Sequence, residues 1–282
     1  MLEALSAEAL KMRTHKATWF LVWLFPIACT IIMLLIIGAR MTGIEPPEHQ
    51  AAADWMEDTA LIWFVPNNAV GRYLLSAFIA VMFAGEYGWN TWKLIVPHRR
   101  RTSLIAAKYA LTLILFAASF VLTAAITTGL SFADMALSGE PIADGVTAAA
   151  LWDMHSRTAL AAVAPVLVTI AYASLAGILS RSTIAALVVA IVATTIEQII
   201  VGFGPQLYVK FPSIVWPLYH ALPGHHIANL AEFIREGSAL KRAFPGGLTV
   251  ELYWTTSLAV LVAWIAALWG ATFAAFSRQD IN

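Results

Sequence analysis

The sequence has little charge and almost no cysteine. Asp, Glu, Lys and Arg make up 12% of its 282 residues, about half the share of a soluble domain. That is too little charge for an ordinary water-facing surface, so a simple soluble globule is excluded. The single cysteine, Cys29, lies in an apolar run and rules out an intramolecular disulfide. Also missing are G-x-x-x-x-G-K-[ST], H-E-x-x-H, G-x-S-x-G and paired-cysteine spacings. Those patterns cradle phosphates, hold zinc or activate a serine. The chain therefore lacks a phosphate loop of its own and the commoner hydrolytic motifs.

What the sequence has instead is apolar length. Hydrophobic residues reach 60% and mean hydropathy is +0.75. The reading is an all-α integral membrane protein, a single transmembrane domain over residues 1–282. Six spans are predicted, at about Ala17–Ala39, Asn68–Ala84, Leu104–Leu130, Arg157–Leu179, Thr183–Val201 and Leu252–Phe276. Each suits an apolar core roughly 30 Å thick at 1.5 Å per residue. The first span lacks a cleavage pattern and is expected to stay in the mature protein. Leu2–Lys16 reads as a surface helix, with Leu2, Leu5, Ala9 and Met12 at helical spacing. Before the last span, Gly202–Val250 carries Pro205, Pro212, Pro217, Pro223 and Pro245, which argues against one continuous helix. Within it, Phe203–Leu222 is expected to dip into the membrane without crossing, and Ala228–Leu240 to form an amphipathic helix.

The charges are few but segregated. Lys11, Arg13, Lys16, Lys93, Arg99, Arg100, Arg101, Lys108, Arg181 and Arg278 fall on the side of both termini. Glu45, Glu48, Asp54, Glu57, Asp58, Asp134, Glu140 and Asp144 fall in the opposite loops. By the positive-inside rule both termini are expected in the cytoplasm, in a cell membrane.

One interruption stands out, Gly85–Lys108, reading GEYGWNTWKLIVPHRRRTSLIAAK. Trp89–Val96 can form two turns with Trp89, Trp92 and Val96 on one side, and Pro97 ends that piece. Read from Glu86, this amphipathic interruption covers about residues 86–96 and is expected at the cytoplasmic surface. The order Glu86, Thr91, Leu94, Pro97, Arg100, Leu104, Lys108 resembles the permease subunits of ABC-2 type ABC exporters. Ala7-Glu8-Ala9-Leu10-Lys11 ahead of the first span resembles them too; Asn90 departs, where many relatives have glycine.

The resemblance implies a transport subunit that is not itself an enzyme. It implies a coupling helix seated in a separate ABC ATPase dimer, with a second permease chain, identical or not. ATP and Mg would sit on the ATPase, and this chain would bind no cofactor. Glu86, Trp89, Thr91, Trp92, Pro97, Arg100 and Lys108 are the coupling candidates. Arg99–Arg101 and Lys108 also read as plain orientation signals that bind anionic lipid heads.

Glu197, beside Thr194 and Gln198, is the acid well inside an apolar run. Two readings stand: it lines the transport path or dimer seam, or it snorkels to an interface about one turn away. Arg72 reads as an anchor to lipid phosphate or to an outer-loop acid. Trp216, Tyr219 and His220 are candidates for an outer gate, with Tyr208 in the same aromatic belt. His220, His225 and His226 lack carboxylates at ligand spacing, so no metal site is expected. A membrane-embedded enzyme or a passive immunity protein using these histidines and Glu197 is the alternative.

Overall fold

The computed structural model describes residues 2–44, 51–88, 92–96, 99–139 and 141–280. Two short helices come first, α1 Leu2–Thr14 and α2 Lys16–Leu21, and then the spanning α3 Leu24–Met41. Then come α4 Ala52–Thr59, a 3-10 turn Leu61–Asn67, α5 Ala69–Gly88, α6 Trp92–Ile95, α7 Arg101–Ser138, α8 Ala148–Ser180 and α9 Thr183–Lys210. The chain finishes with α10 Pro212–Ala221, α11 Pro223–Glu236, strands β1 Lys241–Phe244 and β2 Leu248–Glu251, and α12 Trp254–Arg278. Helices α3, α5, α7, α8, α9 and α12 are each long and apolar enough to cross a membrane, so the fold is all-α in its spans, as predicted.

Helices α5 and α8 are the most buried, and α3 and α12 the least. The shared core is aromatic. Phe78 meets Phe116 at 5.6 Å, Phe25 meets Phe120 at 5.5 Å, and Phe83 meets Tyr109 at 4.9 Å between ring centroids. Helix α1 packs on this core through Ala4, Glu8 and Met12, one stripe at four-residue spacing. Gly71 lets α5 press on the 3-10 turn: a Cβ there would lie 1.9 Å from the Val65 carbonyl oxygen. The Asn68 side chain caps the N-terminus of α5, accepting from the Gly71 N–H at 2.8 Å.

Several boundaries differ from the sequence expectation, each for a physical reason. The first span is not continuous: the helix breaks at Val22–Trp23, four residues before Pro26. Proline lacks the N–H that would bond the Val22 carbonyl, and the Ser119 hydroxyl of α7 donates to that carbonyl instead, at 2.6 Å. Helix α9 does not stop near Val201 but runs through Pro205 to Lys210. It ends because Pro212 disfavours helical geometry at Phe211, whose ψ is 55°. Leu222, before Pro223, is likewise extended and separates α10 from α11. Two prolines thus do the breaking, while Pro205 and Pro217 lie inside helices.

Helix α11 starts and stops earlier than expected, closed by Gly237 in the left-handed region. Between it and α12 lies a small hairpin, an addition to the all-α scheme. Its Pro-Gly-Gly turn puts Gly246 and Gly247 at φ 84° and 78°. Helices α8 and α9 are joined by Arg181 and Ser182 alone. Arg181 is the described non-glycine residue at positive φ (55°), its N–H closing α8 on the Gly177 carbonyl, while Ser182 caps α9.

Candidate functional site

The end of the bundle that carries α1 gathers four charges, two of each sign. Glu8 and Lys11 come from α1, Glu86 from the last turn of α5 and Lys108 from α7. The Lys108 ammonium donates to Glu86 at 3.1 Å and to Glu8 at 3.2 Å. Lys11 pairs with Glu8 at 3.3 Å and with Glu86. Lys108 and Glu86 are fully buried, and such charges persist only when paired. The Trp92 ring closes the cluster, with the Lys108 ammonium 5.2 Å from its centroid and Phe276 of α12 at 4.5 Å. Arg101 donates to the Phe276 and Ser277 carbonyls at 3.1 and 3.0 Å, capping the C-terminus of α12. Tyr87 and Gln279 bond each other beside it.

This corrects the sequence reading of the coupling segment. Glu86 is not part of a surface helix but of α5, which runs on to Gly88. The described piece, α6, is a single turn, and Trp92 points inward, where it is buried. A lone acid reads as the start of a polar segment; with two lysines against it, Glu86 stays inside. Arg100 precedes α7 as its exposed N-cap, and Arg99 pairs with Glu3 of α1. Trp89, Thr91 and Pro97 lie outside the described residues.

A second polar cluster lies between the spans. Arg72 of α5 donates to Glu197 of α9 at 2.6 Å and to the Thr169 hydroxyl of α8 at 2.9 Å. The Tyr172 hydroxyl donates to the other oxygen of Glu197. Both charged side chains are 1% exposed. Snorkelling is thereby overturned, because α9 continues 13 residues past Glu197, about 20 Å at helical rise. Arg72 anchors neither to lipid nor to a loop. Thr194 is buried one turn from Glu197, and Gln198 is half-buried. Sequence reasoning missed Tyr172, Thr169 and the Tyr73–Thr195 bond at 2.6 Å. A tyrosine or threonine in an apolar helix carries no local signal of its partner.

At the far end, β1 supplies a plug. Phe244 packs edge-on against Tyr208, Trp216 and Tyr219, at 5.5, 5.7 and 4.9 Å. His220 sits over Trp216 at 4.5 Å, its Nδ1 on the Trp216 carbonyl at 2.9 Å. His226 is engaged at both nitrogens. Nε2 faces the His220 carbonyl at 2.8 Å and so carries the proton, leaving Nδ1 to accept from the Ser257 hydroxyl at 3.1 Å. Among the described residues no group of three His, Cys, Asp or Glu side chains could hold a metal ion.

Burial pushes the His225 imidazole down to about 3, with His226, His220 and Arg242 adding to it. An unfolded imidazole titrates near pH 6.5. Between these values the opened segment binds a proton that the packed one does not. Stability is therefore full above about pH 6.5 and falls as pH drops toward 3. Hydrogen exchange in α10 and α11, corrected for intrinsic rates, is expected to speed at least tenfold from pH 7 to 5. His225→Phe should remove most of that dependence; an unchanged slope would contradict it.

No curated protein and no solved structure matches the chain. One family does: the sequence model described as "ABC-2 family transporter protein" matches residues 4–197, more than half of the chain, covering four of its spans and the first half of α9. With six membrane-crossing helices and that match, the chain belongs to the ABC-2 family of transporter proteins, as the membrane subunit of an ABC transporter.

Proposed function

We propose that this chain is the permease of an ATP-driven exporter, coupling hydrolysis by a separate ATPase dimer to outward movement of a substrate. The working unit would hold two permease chains, identical or not, with ATP and Mg on the ATPases. Both termini would be cytoplasmic, as the lysine and arginine distribution favours.

The observation that carries this reading is the four-charge platform. It ties α1, the end of α5, the start of α7 and, through Trp92, the end of α12 into one unit. A push on the stretch between α5 and α7 would reach all four together. Glu86, Trp92 and Lys108 then act as positioning residues, and contact with the ATPase falls to exposed groups such as Lys93 and Arg100. The Arg72–Glu197 pair joins α5, α8 and α9 and is the proposed moving seam of the transport path, with Thr194 and Gln198 beside it. The aromatic plug at Trp216, Tyr219 and His220 is the proposed outer gate, on a segment that re-enters the membrane.

Tagged chain extracted in mild detergent from its native membrane is expected to bring down a nucleotide-binding subunit in 1:1 ratio, with ATPase activity. Quantitative recovery of the chain without one would count against the proposal.

A further inference from the structure

We infer that a furrow between α7 and α8 holds one acyl chain of a membrane phospholipid. A cavity of about 670 Å³ opens there, walled by Val121, Ala125 and Gly129 of α7 and by Trp152 and Ala159 of α8, with Trp63 as its floor. A second, of about 140 Å³, shares Trp63 and Ala159 and continues toward Leu113 and Leu167.

The lining decides the chemistry. No charged side chain lines either cavity. The polar groups within, Thr128, His155 and Ser156, are already engaged: Ser156 donates to the Asp153 carbonyl at 3.1 Å, and the His155 Nδ1 accepts from the Trp63 indole N–H at 3.1 Å. Nε2 therefore carries the proton and faces the Thr59 and Thr128 hydroxyls, both at 3.3 Å. A charged head drawn inside would be left unpaired, so the occupant is an uncharged apolar chain.

The shape decides between occupants. From Leu113 to Gly129 the furrow runs about 24 Å along α7 at helical rise. Spread over that length, the two volumes make a narrow furrow, roughly 30 Å² in mean cross-section. A second copy is disfavoured, because the cavity wall is a small part of the ~800 Å² each partner of a stable interface buries. The furrow is continuous with exposed apolar side chains of both helices, Ile114, Leu160 and Val163. That surface faces acyl chains in a bilayer, and Trp152 at the mouth suits the boundary with water.

Gly129 supplies a clean test, because a Cβ there would meet nothing within 4 Å. Leucine is also the better helix former, so Gly129→Leu plugs the cavity without opposing the fold. The full chain would be placed in phosphatidylethanolamine–phosphatidylglycerol nanodiscs carrying a phospholipid with a diazirine in its acyl chain. Cross-links are expected within residues 121–129 and 148–159, falling at least fivefold in Gly129→Leu and in the second plug Ala125→Leu. Labelling of exposed Leu258 and Val262 on α12 should not change. Equal labelling of wild type and plugged variants would overturn the inference, as would disulfide-linked dimers of Gly129→Cys made in a Cys29→Ser background, which would put a second copy at the furrow.

Discussion

Replacing Glu86 by leucine is expected to lower stability by about 3–5 kcal/mol, the usual result of stranding one partner of a buried ion pair. Lys108 would keep only Glu8, which Lys11 already shares. Two cations would then face one carboxylate around a fully buried ammonium. Desolvation of Lys108 is then only partly offset, so α1 is expected to loosen from α5 and α7. Glu86→Leu combined with Lys108→Met restores neutrality, leaving Glu8 and Lys11 as a pair, and should recover most of the thermal midpoint. Coupling is a separate readout. If the platform transmits force, the double variant should fold and bind the ATPase yet move at least tenfold less substrate per ATP. A double variant that transports normally would reduce the platform to a fold element. A single variant as stable as wild type would remove the electrostatic account altogether.

The second large effect belongs to Arg72 and Glu197. Arg72→Met or Glu197→Leu alone should each cost about 3–5 kcal/mol, since each strands a charge at 1% exposure. Tyr172→Phe removes one hydrogen bond to a charged group and should cost about 1.5–3 kcal/mol. The double change to Met and Leu replaces the pair by apolar bulk and is expected near wild-type stability. A cycle of the four forms, read by thermal midpoint, isolates the pair. Transport then separates function from packing. Full transport by the stable double variant, or unchanged transport and substrate-stimulated ATPase activity in Glu197→Gln, would exclude the pair from the path.

What the sequence disclosed follows from the range of each interaction. Spans are local sums of apolar residues, and all six were readable. Pro212 and Pro223 act on their immediate neighbours, so a broken outer segment was readable too. The extension of α9 was not, because Gly202-Phe203-Gly204-Pro205 has the composition of a breaker and only its surroundings keep it helical. The hairpin was missed although Pro245-Gly246-Gly247 is a turn signal, its strands being four residues each. Glu8, Lys11, Glu86 and Lys108 were all singled out from the sequence, but the direction of Glu86 was not, since it depends on lysines 75 and 22 positions away. Arg72 and Glu197 were each noticed and never matched, being 125 residues apart.

The link Arg181–Ser182 has a mechanical consequence. A loop of several residues can absorb a slide between the helices it joins; two residues, one already in the left-handed region and both tied to helix ends, leave no slack. Helices α8 and α9 are thus threaded on a fixed corner. Tyr172 and Glu197, one on each, keep their register as long as that corner holds, and α5 is the side of the seam free to change partners.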